Sequence, residues 1–212
     1  QVTTHHTIPR SAHIISMRVV ICPGMGCDIH SNWYQWFADE IIKRKYVTEC
    51  ILRNFPDQPK CRESVWLPFL VDKIGLDQDT VVIGHSTGAA LAMRLLEYNG
   101  EEKKKLNGPL KGVILVAAAH TDLGDEGERL SEYFNRSWDW TKMKNGADMI
   151  HLFHGTDDHL IPVIEARYIA DKMKGDNFEY SELPNKSHFF HPFSEILDVM
   201  DDKFGGEGDQ LL

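Results

Sequence analysis

Apolar runs alternate with amphipathic stretches from residue 17 onward. The strand-like runs are 17–22 (MRVVIC), 46–53 (YVTECILR), 80–84 (TVVIG), 111–117 (KGVILVA), 149–153 (MIHLF) and 177–182 (NFEYSE). Several are nearly continuous hydrophobics, as expected of parallel strands covered on both faces. Between them, helical patterns fall near 31–44, 61–74, 87–99, 126–134, 163–174 and 191–203. Alternation of this kind predicts an α/β fold: a three-layer sandwich around a mostly parallel central sheet of about six strands. No internal repeat and no linker rich in Pro, Gly or Ser divides the chain, so residues 17–204 are expected to form a single domain. Residues 1–16 carry neither helix nor strand period, and Met17 directly precedes the first strand. They are expected to be a tag or disordered extension, and residues 205–212 a frayed tail.

Charge and cysteine usage narrow the function classes. The formal net charge of −9, with no clustered basic face, argues against a nucleic-acid or anionic-membrane partner. The one basic run, EEKKK at 101–105, reads as a solvated loop. No stretch approaches the roughly 20 apolar residues of a membrane-spanning helix. Cys22, Cys27, Cys50 and Cys61 show neither CxxC nor metal spacing. A reduced, intracellular and cytoplasmic protein is therefore expected.

In a parallel sheet sandwiched by helices, functional groups gather in the loops at the carboxyl ends of the strands. One such end is Gly84-His85-Ser86-Thr87-Gly88, which fits G-x-S-x-G between an apolar strand and a helical stretch. A serine there sits on a tight turn that lifts its hydroxyl clear of the backbone. Side chains two residues before and after would collide, so both positions must be small. The helix that follows aims its free N–H groups at the charge formed in acyl transfer.

A serine hydroxyl needs an imidazole to remove its proton, and the imidazole needs a carboxylate to hold its tautomer. The expected chain order is serine, acid, histidine. The segment HLFHGTDDHLIP (151–162) ends a strand at Gly155 and Thr156 and offers two adjacent aspartates. Asp158 is favoured as the acid, while Asp157 suits capping of the turn through backbone N–H groups. Of the eleven histidines, His188 in the loop after the last strand is favoured as the base. His191 is an alternative, though it is expected to begin the final helix. His85 reads as packing, and His151 and His154 as hydrogen-bonded core residues. No H-E-x-x-H motif or Cys/His cluster suggests a metal, and no cofactor is expected. The oxyanion hole calls for the backbone N–H of Thr87 and a second donor. ICPGMGCD, after the first strand, brings the backbone close through Gly24 and Gly26, and Met25 is the chosen donor.

With these residues placed, the chain resembles the α/β-hydrolase superfamily, and more narrowly the retinoblastoma-binding protein 9, or YdeN-like, family of small serine hydrolases. The likeness runs from Met17 to about Phe204. It rests on PGMG (23–26), NWYQWF (32–37), RESVWLPF (62–69), GHSTG (84–88), TDLGDEGERLSEYF (121–134), SWDW (137–140), GTDDHLIP (155–162) and SHF (187–189). The resemblance implies a minimal α/β-hydrolase fold with a short lid and a triad of Ser86, Asp158 and His188. The family name also implies binding to the retinoblastoma pocket through L-x-C-x-E. The corresponding segment KIGLDQDTV (73–81) lacks the cysteine, so a retinoblastoma-type partner is not expected.

Aromatic residues crowd the active end, and Trp33 and Trp138 are expected to line an apolar pocket beside Ser86. Asp122, Asp125, Glu126 and Glu128 lie in the insertion at roughly 120–145. They suit either a solvated helix start or attraction of a cationic group such as an α-amine, which the family's association with amino-acyl esters and amides fits. The expected function is a serine hydrolase acting on small carboxylic esters, amino-acyl esters or amides through an acyl-enzyme. The alternative is a non-catalytic, protein-binding scaffold that retains the hydrolase fold.

Overall fold

A computed structural model describes residues 17–101 and 106–206. The expected extension over 1–16, most of the basic run at 101–105 and the tail beyond 206 lie outside the described residues.

Among the described residues, six strands form one sheet, all parallel: β1 (Met17–Cys22), β2 (Val47–Leu52), β3 (Thr80–His85), β4 (Gly112–Val116), β5 (Ile150–Gly155) and β6 (Phe178–Leu183). Their spatial order is β2-β1-β3-β4-β5-β6. The chain steps outward from β1 to β2, returns across β1 to β3, then proceeds to β6. The reversal leaves a crevice beyond the carboxyl ends of β1 and β3, where open α/β sheets bind ligands.

Alternation along the inner strands explains why their runs are largely apolar. Val19 and Ile21 of β1, Val81 and Ile83 of β3, and Ile114 and Val116 of β4 enter one core with α1 (Tyr34–Ile41) and α7 (Glu195–Phe204). Val20, Val82, Val113 and Leu115 point the other way, into a core with α3 (Thr87–Asn99) and α6 (Val163–Met173). All of these strand residues are fully buried. At about 25 cal/mol per Å2 of apolar surface removed from water, the two cores are the main stabilising contribution to the sheet.

The helix expected over 61–74 divides in two. Helix α2 (Glu63–Pro68) gives way at Pro68, which has no N–H to donate, to a π-helical segment over Phe69–Gly75 that ends on Gly75 at φ +75°. Two short helices, α4 (Glu126–Leu130) and α5 (Trp140–Asn145), occupy the insertion between β4 and β5. Sequence patterning located the first and missed the second. Each opens on an aspartate cap: Asp125 accepts from the Glu128 N–H, and Asp139 from the Lys142 N–H.

The insertion is pinned by a buried arginine. The Arg94 side chain, wholly buried in α3, donates to the carbonyls of Tyr133, Arg136 and Ser137 and pairs with Glu97 at 2.6 Å. Glu63 in turn grips Arg136 through two 2.7 Å bonds. Such charges are tolerated inside because every guanidinium edge finds an acceptor. Among the described residues, no helix is long and apolar enough to cross a membrane.

Candidate active site

Ser86 joins β3 to α3 with φ +56° and ψ −122°, a conformation that L-residues adopt only under constraint. The constraint comes from both sides. Its N–H donates to the Val116 carbonyl at 2.9 Å, and its carbonyl accepts from the Ala89 N–H at 2.8 Å. The glycines flanking it are required by close approach. A Cβ on Gly84 would lie 2.2 Å from the Gly88 carbonyl oxygen, and one on Gly88 would lie 2.3 Å from that of Cys22. These are backbone atoms that cannot swing aside.

The loop after β1 folds against the serine. A Cβ on Gly24 would meet the Ser86 Cβ at 3.3 Å, and Met25 lines the same cleft as Ser86. Thr87, the first residue of α3, is buried and donates its hydroxyl to Glu128 Oε1 at 2.8 Å. Burial raises the Glu128 carboxyl above its usual range, and the Thr87 bond offsets this only in part.

From the opposite side, the loops after β5 and β6 bring Asp158 and His188 together. His188 Nδ1 lies 2.8 Å from Asp158 Oδ2, with both residues buried. A carboxylate can only accept, so Nδ1 carries a hydrogen, and in the neutral ring Nε2 then holds the lone pair. Asp158 Oδ1 accepts the N–H groups of Leu160 and Ile161, each at 2.9 Å. Burial alone would raise the Asp158 carboxyl. The His188 bond and these backbone donors outweigh it and hold the group below its usual value. Asp157, one residue away, accepts the N–H groups of Lys186 and Ser187 at 3.2 and 3.1 Å, which ties the two loops.

Ser86 and His188 both line a cleft of about 460 Å3. Leu123, Leu160 and Phe190 form its apolar rim, and Asp125 and Glu128 its acidic wall. Two expected pocket residues are corrected. Trp33 is fully buried, with its ring edge-on to Phe37 and Phe193 in the α1/α7 core, because α1 turns that residue toward the sheet and away from the cleft. Trp138 covers the Arg94 guanidinium at 3.7 Å and donates its indole N–H to the His120 carbonyl. It therefore braces the insertion and does not line the cleft. His191 does not begin a helix. It is exposed, Pro192 follows it, and α7 starts at Glu195.

The rim residues escaped sequence reading because they stand in irregular loops, where no period tells which side faces a cavity. Their one signal was position, since Leu160 and Phe190 each lie two residues beyond the favoured acid and base.

Comparison with known proteins agrees with this architecture. The serine hydrolase family model matches residues 19–190. The chain is 35% identical to the serine hydrolase RBBP9 of Rattus norvegicus over 186 residues, 86% of this chain and 93% of that protein. Among solved structures, the ydeN gene product of B. subtilis superposes with a TM-score of 0.76 at 24% identity, covering 90% of this chain and all of the other. The monoacylglycerol lipase of Paleococcus ferrophilus superposes with a TM-score of 0.66 at 13% identity over 89% of this chain and 93% of the other, a likeness of fold alone. With its six-stranded parallel sheet and a family match over most of its length, the chain belongs to the RBBP9/YdeN-like serine hydrolase family of α/β-hydrolase fold.

Proposed function

We propose that this protein hydrolyses small carboxylic esters by acyl transfer through Ser86, His188 and Asp158. The observation that carries the reading is the buried Asp158–His188 bond at the wall of the cleft that Ser86 also lines. His188 Nε2 takes the Ser86 proton as Oγ attacks the ester carbonyl carbon. The negative oxygen of the tetrahedral intermediate is held by the N–H groups of Met25 and Thr87. The intermediate collapses, the C–O bond to the alcohol breaks, and His188 returns the proton to the leaving oxygen. A water molecule then repeats the sequence on the acyl-enzyme and releases the acid.

Fluorophosphonate labelling tests this directly, with the wild type labelled at Ser86 and Ser86→Ala unlabelled. A folded wild type that neither labels nor hydrolyses aryl and amino-acyl esters would favour the binding scaffold instead. Asp158→Asn leaves the shape intact but removes the charge that fixes the His188 tautomer, so kcat should fall by about 10^3–10^4-fold. An Asn variant within tenfold of wild type would remove Asp158 from the mechanism.

The acidic wall supports amino-acyl substrates in particular. Glu128 Oε2 is buried and without a hydrogen-bond partner, while Oε1 is engaged by Thr87. A substrate α-ammonium placed there would satisfy Oε2 and relieve the burial of a lone carboxylate. Glu128→Gln keeps an acceptor for Thr87 and discards the charge. It should lower kcat/KM for amino-acyl esters by about 10–100-fold relative to uncharged esters, the usual range for a hydrogen bond to a charged group. Equal losses on both substrate types would exclude an ammonium site at Glu128.

A further inference from the structure

His85 precedes the nucleophile, yet its ring points into the α1/α7 side of the sheet, between Trp33, Tyr34 and His188. Both of its nitrogens are engaged. Nε2 lies 2.9 Å from the backbone carbonyl oxygen of His188, and Nδ1 lies 2.7 Å from the Tyr34 hydroxyl. The same hydroxyl oxygen accepts the Gly24 N–H at 2.9 Å and an Asn32 side-chain N–H at 3.2 Å.

Only one arrangement of protons satisfies this chain. The His188 carbonyl can only accept, so His85 Nε2 carries the hydrogen. Its Nδ1 must then accept from Tyr34, which leaves the phenol oxygen free to receive Gly24 and Asn32. Protonation of His85 would put a hydrogen on Nδ1 and set it against the Tyr34 donor. The ring is 1% exposed, and burial, chiefly, pushes its pKa down to about 3, so the neutral form persists.

We propose that His85 is a positioning residue for hydrolysis, holding the backbone of the base loop at His188 and tying it through Tyr34 to the Gly24–Met25 loop that faces Ser86. The two loops come from opposite ends of the domain sequence, and His85 sits on the strand between them. Their spacing sets the distance from the imidazole to the oxyanion donors across the bound carbonyl. A shift of about 1 Å in such a pair is enough to lower a rate by around 10^2-fold without weakening ground-state binding. This inference rests on His188 and Ser86 having the roles given them above.

The test compares His85→Leu with His85→Gln, using steady-state ester hydrolysis and thermal melting. Leucine fills much of the space but offers neither bond. It should lower kcat by about 30-fold or more with KM within about threefold. Glutamine carries an N–H that reaches the position of Nε2. It should bring kcat back to within about fivefold of wild type, a rescue that volume alone would not produce. Should His85→Leu fail to fold, Tyr34→Phe decides. It removes the oxygen that joins His85 to Gly24 and Asn32, and should lower kcat by at least about 5–10-fold at constant KM, the scale set by the loss of even one buried hydrogen bond. Given an active wild type that labels at Ser86, a folded His85→Leu, or failing that Tyr34→Phe, with wild-type kcat overturns the positioning role alone. A wild type that neither labels nor turns over overturns the underlying reading, and this one with it.

Discussion

Replacing Ser86 with alanine is expected to lower ester turnover by about 10^5-fold, the scale on which loss of an activated nucleophile abolishes acyl transfer. The melting midpoint should move by no more than about 2 °C, within the usual range for a substitution that creates no large cavity or orphaned charge. The two halves of this expectation have separate causes. Alanine keeps the Cβ that packs beside Gly24, and it meets the same backbone strain at φ +56° that serine already bears. The hydrogen bonds holding the turn, from the Ser86 N–H to Val116 and from Ala89 and Ala90 to the Ser86 carbonyl, are all main-chain. Only the oxygen that attacks is lost. Initial rates on an aryl ester beside a thermal melt read both quantities, and parent-level turnover by a pure Ser86→Ala protein would locate the nucleophile elsewhere.

The second large effect is expected at a residue that touches no substrate. A Cβ on Gly155, the last residue of β5, would lie 2.1 Å from the Ser187 carbonyl oxygen and 3.2 Å from the Ser187 nitrogen. Ser187 adjoins His188 and has φ +48°, and its N–H is already committed to Asp157. Nothing in this contact can rotate out of the way, so Gly155→Ala must lift the base loop off the strand. Overpacking of this kind costs about 2–3 kcal/mol, which for a domain of this size lowers the melting midpoint by roughly 5–10 °C. Because the loop that moves carries the imidazole, kcat should fall by about 10^2-fold as well. Gly175→Ala is the control, since its added carbon would meet nothing nearer than 3.7 Å. Equal behaviour of the two variants would refute the close-packing account.

Gly155 also marks how far the primary structure could be read. In the sequence it looks like a strand breaker. In the fold it belongs to the strand, and its lack of a side chain serves a contact with a segment more than thirty residues away. His85 is the same kind of case. It reads as packing, and it does pack, but its two hydrogen bonds reach His188 and Tyr34, which are far from it along the chain. The tryptophans fail in the reverse direction. Proximity to the glycine loop and to the insertion placed Trp33 and Trp138 at the cleft, whereas one was needed to fill the α1/α7 core and the other to cover a buried guanidinium.

What the amino-acid order determined by itself is whatever depends on neighbours a few residues apart. The apolar runs dictate buried strands, because a strand covered on both faces has no place for a polar side chain that finds no hydrogen-bond partner. Gly84 and Gly88 dictate a turn tight enough for Ser86, because any larger side chain there strikes backbone. The tertiary structure alone decided which loop side chains face the cleft, which nitrogen of each histidine is bonded, and how the Gly24, Asp158 and His188 loops meet. Those outcomes follow from the reversal of strand order between β1 and β3 and from the packing of helices on either face. Both are properties of contacts between distant segments that no local period encodes.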